Sequence, residues 1–297
     1  MKIFDEITDF KINNSAVTLG KFDGLHLGHR VLIEDILDGS KKYGYKTVLF
    51  SFDTSAINGQ SSITTKTERN HICMELGIEH VIYYPVNSGT MAIEPEEFIK
   101  NVLVDRLDVK RVVTGEDFRF GKKRRGDVSM LRKYSSIYGY ELIVEKSVSI
   151  DGIRAGSTSI KEYIKEGRIN KANEMLGYPY FIMGEVIKGN QIGRTMDART
   201  VNIHPPDNKM LPPYGVYKTS VTVEDKKYKS ITNIGLCPTV RSGSMVTAET
   251  HIFDFEKDIY GDNIKVEFEK FIRYEKKFDN IEELKRQIAL DISEANL

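Results

Sequence analysis

The sequence predicts two domains: an N-terminal α/β domain built on a Rossmann-like parallel sheet, then a small C-terminal β-barrel with a terminal helix. Three observations carry this. Apolar strand-like runs alternate with helical stretches to about residue 176, the pattern of βαβ units. After Gly177 the helices give way to short strand-like runs punctuated by Gly, Pro and Asn, as in small all-β barrels. Ile281 to Ala295 then places apolar residues at helical spacing. A chain of 297 residues accommodates two domains at roughly 100–200 residues each. The boundary is expected near 177–180, giving domains 1–178 and 179–297.

Taken in order, Ser15 to Leu19 reads as a buried strand, followed by the loop Gly20 to Gly28 and an amphipathic helix from His29 to Tyr43. Lys46 to Phe52 is a second strand. Glu68 to Leu76 is helical, with Gly77 placed to end it in a left-handed conformation. His80 to Val86 is a strand. Pro95 to Leu107 is a helix with Pro at its start, where a missing N–H costs little. Lys110 to Thr114, Val128 to Tyr138 and Glu141 to Val144 continue as strand, helix and strand. Ser157 to Gly167 and Asn170 to Leu176 are short helices. The barrel strands are expected at 180–187, 214–223, 228–234, 247–255 and 264–271.

Composition narrows the function classes. Apolar residues make up 40% and charged residues 29%, with 43 cations against 43 carboxylates. A packed core follows, and no global positive field draws the chain to nucleic acid or an anionic membrane. Cys73 and Cys237 form no CxxC pair, which fits a reduced compartment. Met1 to Phe10 has no apolar signal core, and no apolar run approaches the ~20 residues of a membrane helix. A soluble, cytoplasmic protein is expected, with no nucleic-acid or membrane partner and the oligomeric state open.

Three segments carry chemistry. Gly20-Lys21-Phe22-Asp23-Gly24-Leu25-His26-Leu27-Gly28-His29 follows a strand and opens a helix. Its glycines permit a tight turn and close approach of a ligand. A helix N-terminus suits phosphate, and His26 and His29, three residues apart, can face the same anion and stabilise developing charge. No GxxxxGK[ST] loop occurs. A metal-binding histidine pair competes with this reading, but no third ligand is evident nearby, and a Gly-rich turn with two surface histidines is the bland alternative. The second segment is Gly156-Ser157-Thr158-Ser159-Ile160-Lys161, where hydroxyls at a helix start can cap the helix or bind phosphate and Lys161 lies one turn in. The third, Gly115-Glu116-Asp117-Phe118-Arg119-Phe120-Gly121, combines an acid with aromatics after a strand, which suits a planar phosphorylated ligand. The basic run Lys122 to Arg125 beyond it reads as a solvated loop.

In this order the segments resemble the bacterial bifunctional riboflavin kinase/FMN adenylyltransferase, or FAD synthetase, family. VTLGKFDGLHLGH is similar to its GxFDGxHxGH motif, TGEDFRFG to GEDFxFG, and STSIK to STxxR. In the barrel, NIGLCPT is similar to NIGxRPT and ETHIFDF to ExHxxDF. The resemblance implies a nucleotidyltransferase first domain that moves AMP from ATP to FMN, and a second domain that phosphorylates riboflavin with ATP and Mg²⁺. It implies that His26, His29 and Lys161 serve catalysis, and that Gly20, Phe22, Asp23, Gly28, Ser157 and Thr158 bind ATP. By the same resemblance Asp53, Asp117 and Phe118 line the flavin, Thr200 and Asn202 help hold Mg-ATP, and Glu249 is the kinase base. On their own residue types, Thr200 and Asn202 pass as turn residues and Glu249 as a surface carboxylate.

Three departures from the family pattern stand out. FDPHP is here Phe52-Asp53-Thr54-Ser55-Ala56. The Arg of STxxR is Lys161, which keeps the charge and loses the bidentate fork. GFPTAN is here Asp197-Ala198-Arg199-Thr200-Val201-Asn202, which adds a carboxylate beside a phosphate site and frees a fixed φ. The kinase site is therefore expected to be the more altered of the two. The competing expectations are a monofunctional adenylyltransferase with a non-catalytic barrel, a non-catalytic flavin or nucleotide sensor, and a nucleotidyltransferase for another substrate such as phosphopantetheine.

Overall fold

The computed structural model describes residues 1–5, 10–54, 59, 61–187, 200–224, 226–239 and 243–296. Two compact units result, Met1–Gly156 and Ser157–Leu297.

The first unit contains β1 (Lys2–Phe4), β2 (Ser15–Gly20), α1 (Leu27–Tyr43), β3 (Lys46–Asp53), α2 (Lys66–Glu75) and β4 (His80–Pro85). It continues with α3 (Pro95–Glu97), β5 (Val109–Gly115), β6 (Arg119–Phe120), β7 (Gly126–Asp127), α4 (Val128–Tyr138), β8 (Glu141–Glu145), β9 (Ser149–Ile150) and β10 (Ile153–Arg154). Six strands form one parallel sheet in the order β1-β4-β3-β2-β5-β8. The chain lays β3 and β4 on one side of β2 and then returns to place β5 on the other. The order therefore reverses between β2 and β5, and ligands in open α/β sheets bind beyond the carboxyl ends of the strands at such a point.

Local chemistry accounts for the helix ends. α2 starts two residues before its expected Glu68, because Thr65 and Glu68 form a reciprocal capping box: Glu68 N–H donates to Thr65 Oγ1 and Thr65 N–H to Glu68 Oε2. The helix expected over 95–107 is α-helical only at Pro95–Glu97 and becomes π-helical over Phe98–Val104. Its amides reach back five residues, Asp105 to Lys100 at 2.9 Å and Leu107 to Val102 at 3.1 Å, the wider ladder of a π-turn. Gly44 and Gly139 end α1 and α4 in the left-handed region. Val17, Leu19, Val48, Phe50 and Ile82 from the strands pack with Phe98, Ile99, Val102 and Leu103 in the core.

The second unit contains α5 (Ser157–Lys165), α6 (Ile169–Leu176), β11 (Phe181–Glu185), β12 (Thr200–Ile203), β13 (Gly215–Val223), β14 (Lys226–Thr239), β15 (Gly243–Ile252), β16 (Asn263–Tyr274) and α7 (Ile281–Asn296). Its strands form one antiparallel sheet in the order β11-β16-β13-β14-β15-β12. The sheet curls until its edge strands meet at the bridge Ile187–Asn202, with Gly184 facing the Ile203 side chain, which a Cβ would strike. α7 packs Ile292 and Ala295 against Val216 and Ile231, and Arg273 clasps Asp291 at 2.6 Å. α6 belongs here because Asn173 donates to Phe268 O at 2.8 Å and accepts from Tyr180 N–H at 2.7 Å. β12 was not expected as a strand, since four residues of mixed polarity carry little periodicity.

Candidate active sites

β2 ends at Gly20, where a Cβ would stand 3.1 Å from the Phe22 ring. The chain then turns through left-handed backbone at Phe22, Gly24 and Leu25, with φ of 51°, 86° and 39°. Positive φ at buried Phe and Leu is strained and persists only where surroundings impose it. The surroundings are visible. Asp23 Oδ1 accepts from the amides of Ile63 (2.8 Å) and Thr64 (3.3 Å). Gly24 N–H donates to Thr64 Oγ1 at 3.1 Å, and Ser51 Oγ donates to Lys21 O at 3.0 Å.

The turn delivers His26 to the N-cap of α1. Its side chain makes no capping bond, while its carbonyl accepts from the amides of His29 (2.7 Å) and Arg30 (2.9 Å). Leu27 and Gly28 are thus left without an intrahelical acceptor. The rings of His26 and His29 stack at 3.7 Å, and Phe22 lies 5.0 Å behind His29. Gly28 makes room for this: a Cβ there would meet Ala155 O at 3.2 Å and the His26 ring at 3.3 Å. Both Nδ1 atoms are buried with no hydrogen-bond partner among the described residues. Burial lowers His26 to about 4, with Asp23 opposing and Arg154 adding to the effect. Burial also holds His29 well below its ordinary value, helped by His26 and Arg69. At neutral pH both imidazoles are uncharged N–H donors, stacked at the mouth of a helix.

Asp117 and Phe118 follow β5, across the switch point. Phe118 stacks on Phe120 at 5.5 Å and leans on Phe52 at 6.0 Å. Asp117 is exposed and ion-paired with Arg154 Nη2 at 2.7 Å. Asp53, at the end of β3, binds Lys66 at 2.9 Å, and Lys66 also binds Asp5. Carboxyl ends of β2, β3 and β5 therefore carry the expected residues Gly20, Phe22, Asp23, His26, Gly28, His29, Asp53, Asp117 and Phe118. The sequence reading missed Arg154, which the β9–β10 hairpin brings within electrostatic reach of His26. Asp151-Gly152 between Ile150 and Ile153 is the hairpin signal that marks it.

In the second unit, Ser157, Thr158 and Lys161 lie on one face of α5, at spacings of three and four. The adjoining face of the helix buries Ile160, Tyr163 and Ile164. On the curled sheet, register pairs Asn202 with Glu249 and Thr200 with His251. Thr200 Oγ1 donates to Glu249 Oε1 at 2.8 Å, so these residues occupy strand positions, not the turn expected from their types. Asn233 pairs with Glu249 from the other side and donates to Glu275 at 3.4 Å, an adjacency the sequence reading did not register. Hydroxyl, amide and carboxylate oxygens suit Mg²⁺. Asp197, Ala198, Arg199, Ser55 and Ala56 lie outside the described residues.

Comparison with known proteins divides the chain in a similar way. Residues 9–159 match the FAD synthetase family model and residues 176–297 the riboflavin kinase model. The bifunctional riboflavin kinase/FMN adenylyltransferase of Buchnera aphidicola subsp. Schizaphis graminum is 35% identical, covering 95% of this chain and 93% of its own. The protein of that name from Escherichia coli K12 is 32% identical over 93% and 90%. A crystal structure titled macrolide-efflux protein, from Streptococcus pneumoniae, superposes with a TM-score of 0.86 at 26% identity, covering 99% of this chain and 98% of its own. Among the described residues of this chain, no helix is long and apolar enough to cross a membrane.

Proposed function

We propose a two-reaction flavin enzyme, for the chain belongs to the bifunctional riboflavin kinase/FMN adenylyltransferase family. Its first module transfers AMP from ATP to FMN, giving FAD and pyrophosphate. Its second phosphorylates riboflavin with ATP, giving FMN. We place the join of the modules along the sequence at 178/179, just after the riboflavin kinase match begins at 176, although by their contacts the two short helices group with the second unit. The first module is read as a Rossmann-like nucleotidyltransferase on the strength of its switch-point turn.

In the first reaction an FMN phosphate oxygen attacks the α-phosphorus of ATP in line as the bond to the pyrophosphate oxygen breaks. The nucleophile is already anionic, so no base is required. The task is to position the reactants and offset charge. His26 and His29 donate N–H bonds to the phosphates, Gly20, Phe22, Asp23 and Gly28 shape the turn, and Ser157, Thr158 and Lys161 take phosphate. Asp53, Asp117 and Phe118 line the flavin. The stacked, uncharged imidazole pair at the open start of α1 carries this reading.

In the second reaction a neutral riboflavin hydroxyl attacks the γ-phosphorus, ADP leaves, and the hydroxyl proton needs an acceptor. Glu249 takes it, oriented by Thr200. Thr200 and Asn202 would hold Mg²⁺, which offsets phosphate charge when bound. The intact Thr200–Glu249 contact favours a working kinase over a merely structural barrel.

One experiment tests the whole reading. The pure protein is incubated with Mg-ATP and either riboflavin or FMN, and the flavins are separated by chromatography. FMN from the first and FAD from the second are expected. FAD from FMN with riboflavin untouched would reduce the reading to a monofunctional enzyme, and no product from either would reject catalysis. Restoring Gly-Phe-Pro at 197–199 should raise riboflavin phosphorylation if those departures slow it, and an unchanged rate rejects that cause.

A further inference from the structure

We infer that Arg69 is a positioning residue of the adenylyl-transfer site, tying two braces of the glycine turn together and lending the imidazole pair a positive charge that forms no ion pair with a carboxylate among the described residues. The inference rests on reading that turn as the nucleotide site.

Arg69 is 92% buried on α2, being 8% exposed. Its Nη1 donates to Ser51 Oγ at 3.2 Å and its Nη2 to Thr64 O at 3.4 Å, while Nε meets no acceptor among the described residues. The guanidinium carbon stands 5.6 Å from the Tyr83 ring centre. The neighbouring Glu68 spends its carboxylate on the capping box. A buried charge without an anion is costly, and a Met of similar length would fill the space without that cost. The charge itself therefore calls for a use, and an anion arriving with the substrate supplies one.

The two residues Arg69 grips, Ser51 and Thr64, are two of the three that brace the turn. Ser51 donates to Lys21 O, and Thr64 bonds both Gly24 and Asp23. Ser51 also stands opposite Gly20 in the sheet register. One side chain thus fixes the spacing between the β3 brace and the Thr64 brace, and through them the position of the imidazoles.

The charge environment is specific. His29 feels Arg69 and His26, and His26 feels Asp23 and Arg154. The other groups near Arg69 are Tyr83, raised by burial, and Cys73, pushed up to about 12, both uncharged at neutral pH. Cys73 also faces Arg30. Lys66, over the same Tyr83 ring, is paired with Asp5 and Asp53. Arg154 is paired with Asp117. With both imidazoles neutral, Arg69 supplies positive potential behind the turn.

The test compares Arg69→Met and Arg69→Lys with the parent protein in three measurements: FAD formation from FMN across pH 5–9, the His29 imidazole titration by NMR, and riboflavin phosphorylation. His29 is assigned with His29→Asn. Arg69→Met should lower kcat/KM for FAD formation about 100-fold, the scale of losing one preorganised electrostatic contact. It should also move the His29 titration up as the nearby cation is removed. Arg69→Lys should keep the titration near the parent's and recover part of the rate, and riboflavin phosphorylation should hold in both. An unmoved His29 titration in Arg69→Met, or Arg69→Lys no better than Arg69→Met, overturns the inference. If Arg69→Met does not fold, the uncharged Arg69→Gln takes its place in both comparisons, with the same outcomes supporting or overturning the inference. His29→Asn making FAD at the parent's rate would instead overturn the site reading, whatever Arg69 does.

Discussion

Acid should weaken the N-terminal unit through His26 in particular. The residue is 7% exposed and its imidazole is lowered from 6.5 to about 4. The depressed value means the unfolded chain takes up a proton that the folded chain refuses. The stability involved is fully present above pH 6.5 and is lost as pH falls towards 4. At 1.36 kcal/mol per unit, pH 5 lies 1.5 units below the unfolded value, a loss of about 2 kcal/mol, rising to about 3 kcal/mol near pH 4. The assay is urea unfolding followed by far-UV circular dichroism at pH 7 and pH 5, on the parent and on His26→Gln. Gln fills similar space and takes no proton. The parent should lose about 2 kcal/mol more than His26→Gln between the two pH values. His29 titrates in the same sense but remains in both proteins, so the double difference isolates His26. A double difference below about 0.5 kcal/mol would refute the claim that burial keeps this imidazole neutral.

Other perturbations separate the two sites. His29→Ala should abolish FAD formation and leave riboflavin phosphorylation intact; chromatography showing both activities falling together would merge the sites. Gly28→Ala forces its Cβ within 3.3 Å of the His26 ring, and a displaced imidazole should slow FAD formation about 100-fold while the kinase rate holds. Glu249→Gln removes the proton acceptor and should slow riboflavin phosphorylation about 100-fold or more, with FMN adenylylation unchanged. Gly215 sits at φ 156°, with the Arg273 carbonyl where a Cβ would be, so Gly215→Ala should destabilise the curled sheet by about 3 kcal/mol, read as an earlier urea transition.

The sequence by itself determined what repeats locally. Alternating strand and helix patterns, the change of texture after Gly177 and α4 over Val128–Tyr138 are written in side chains a few positions apart; the Thr65–Glu68 cap is equally local, yet the helix was expected to begin only at Glu68. So is the turn after β2, because glycines and paired histidines have meaning at short range. Only the tertiary structure decided the rest. β12 depends on β15 for its hydrogen bonds, so Thr200 and Asn202 looked like turn residues until the sheet formed. The neutrality of His26 and His29 arises from burial, which no spacing encodes. Nothing in the spacing of the helical stretch from Glu68 marks Arg69, whose guanidinium is fixed only by Ser51 of β3 and by Thr64. Charge and desolvation depend on distances across the fold, whereas helix and strand depend on neighbours along the chain.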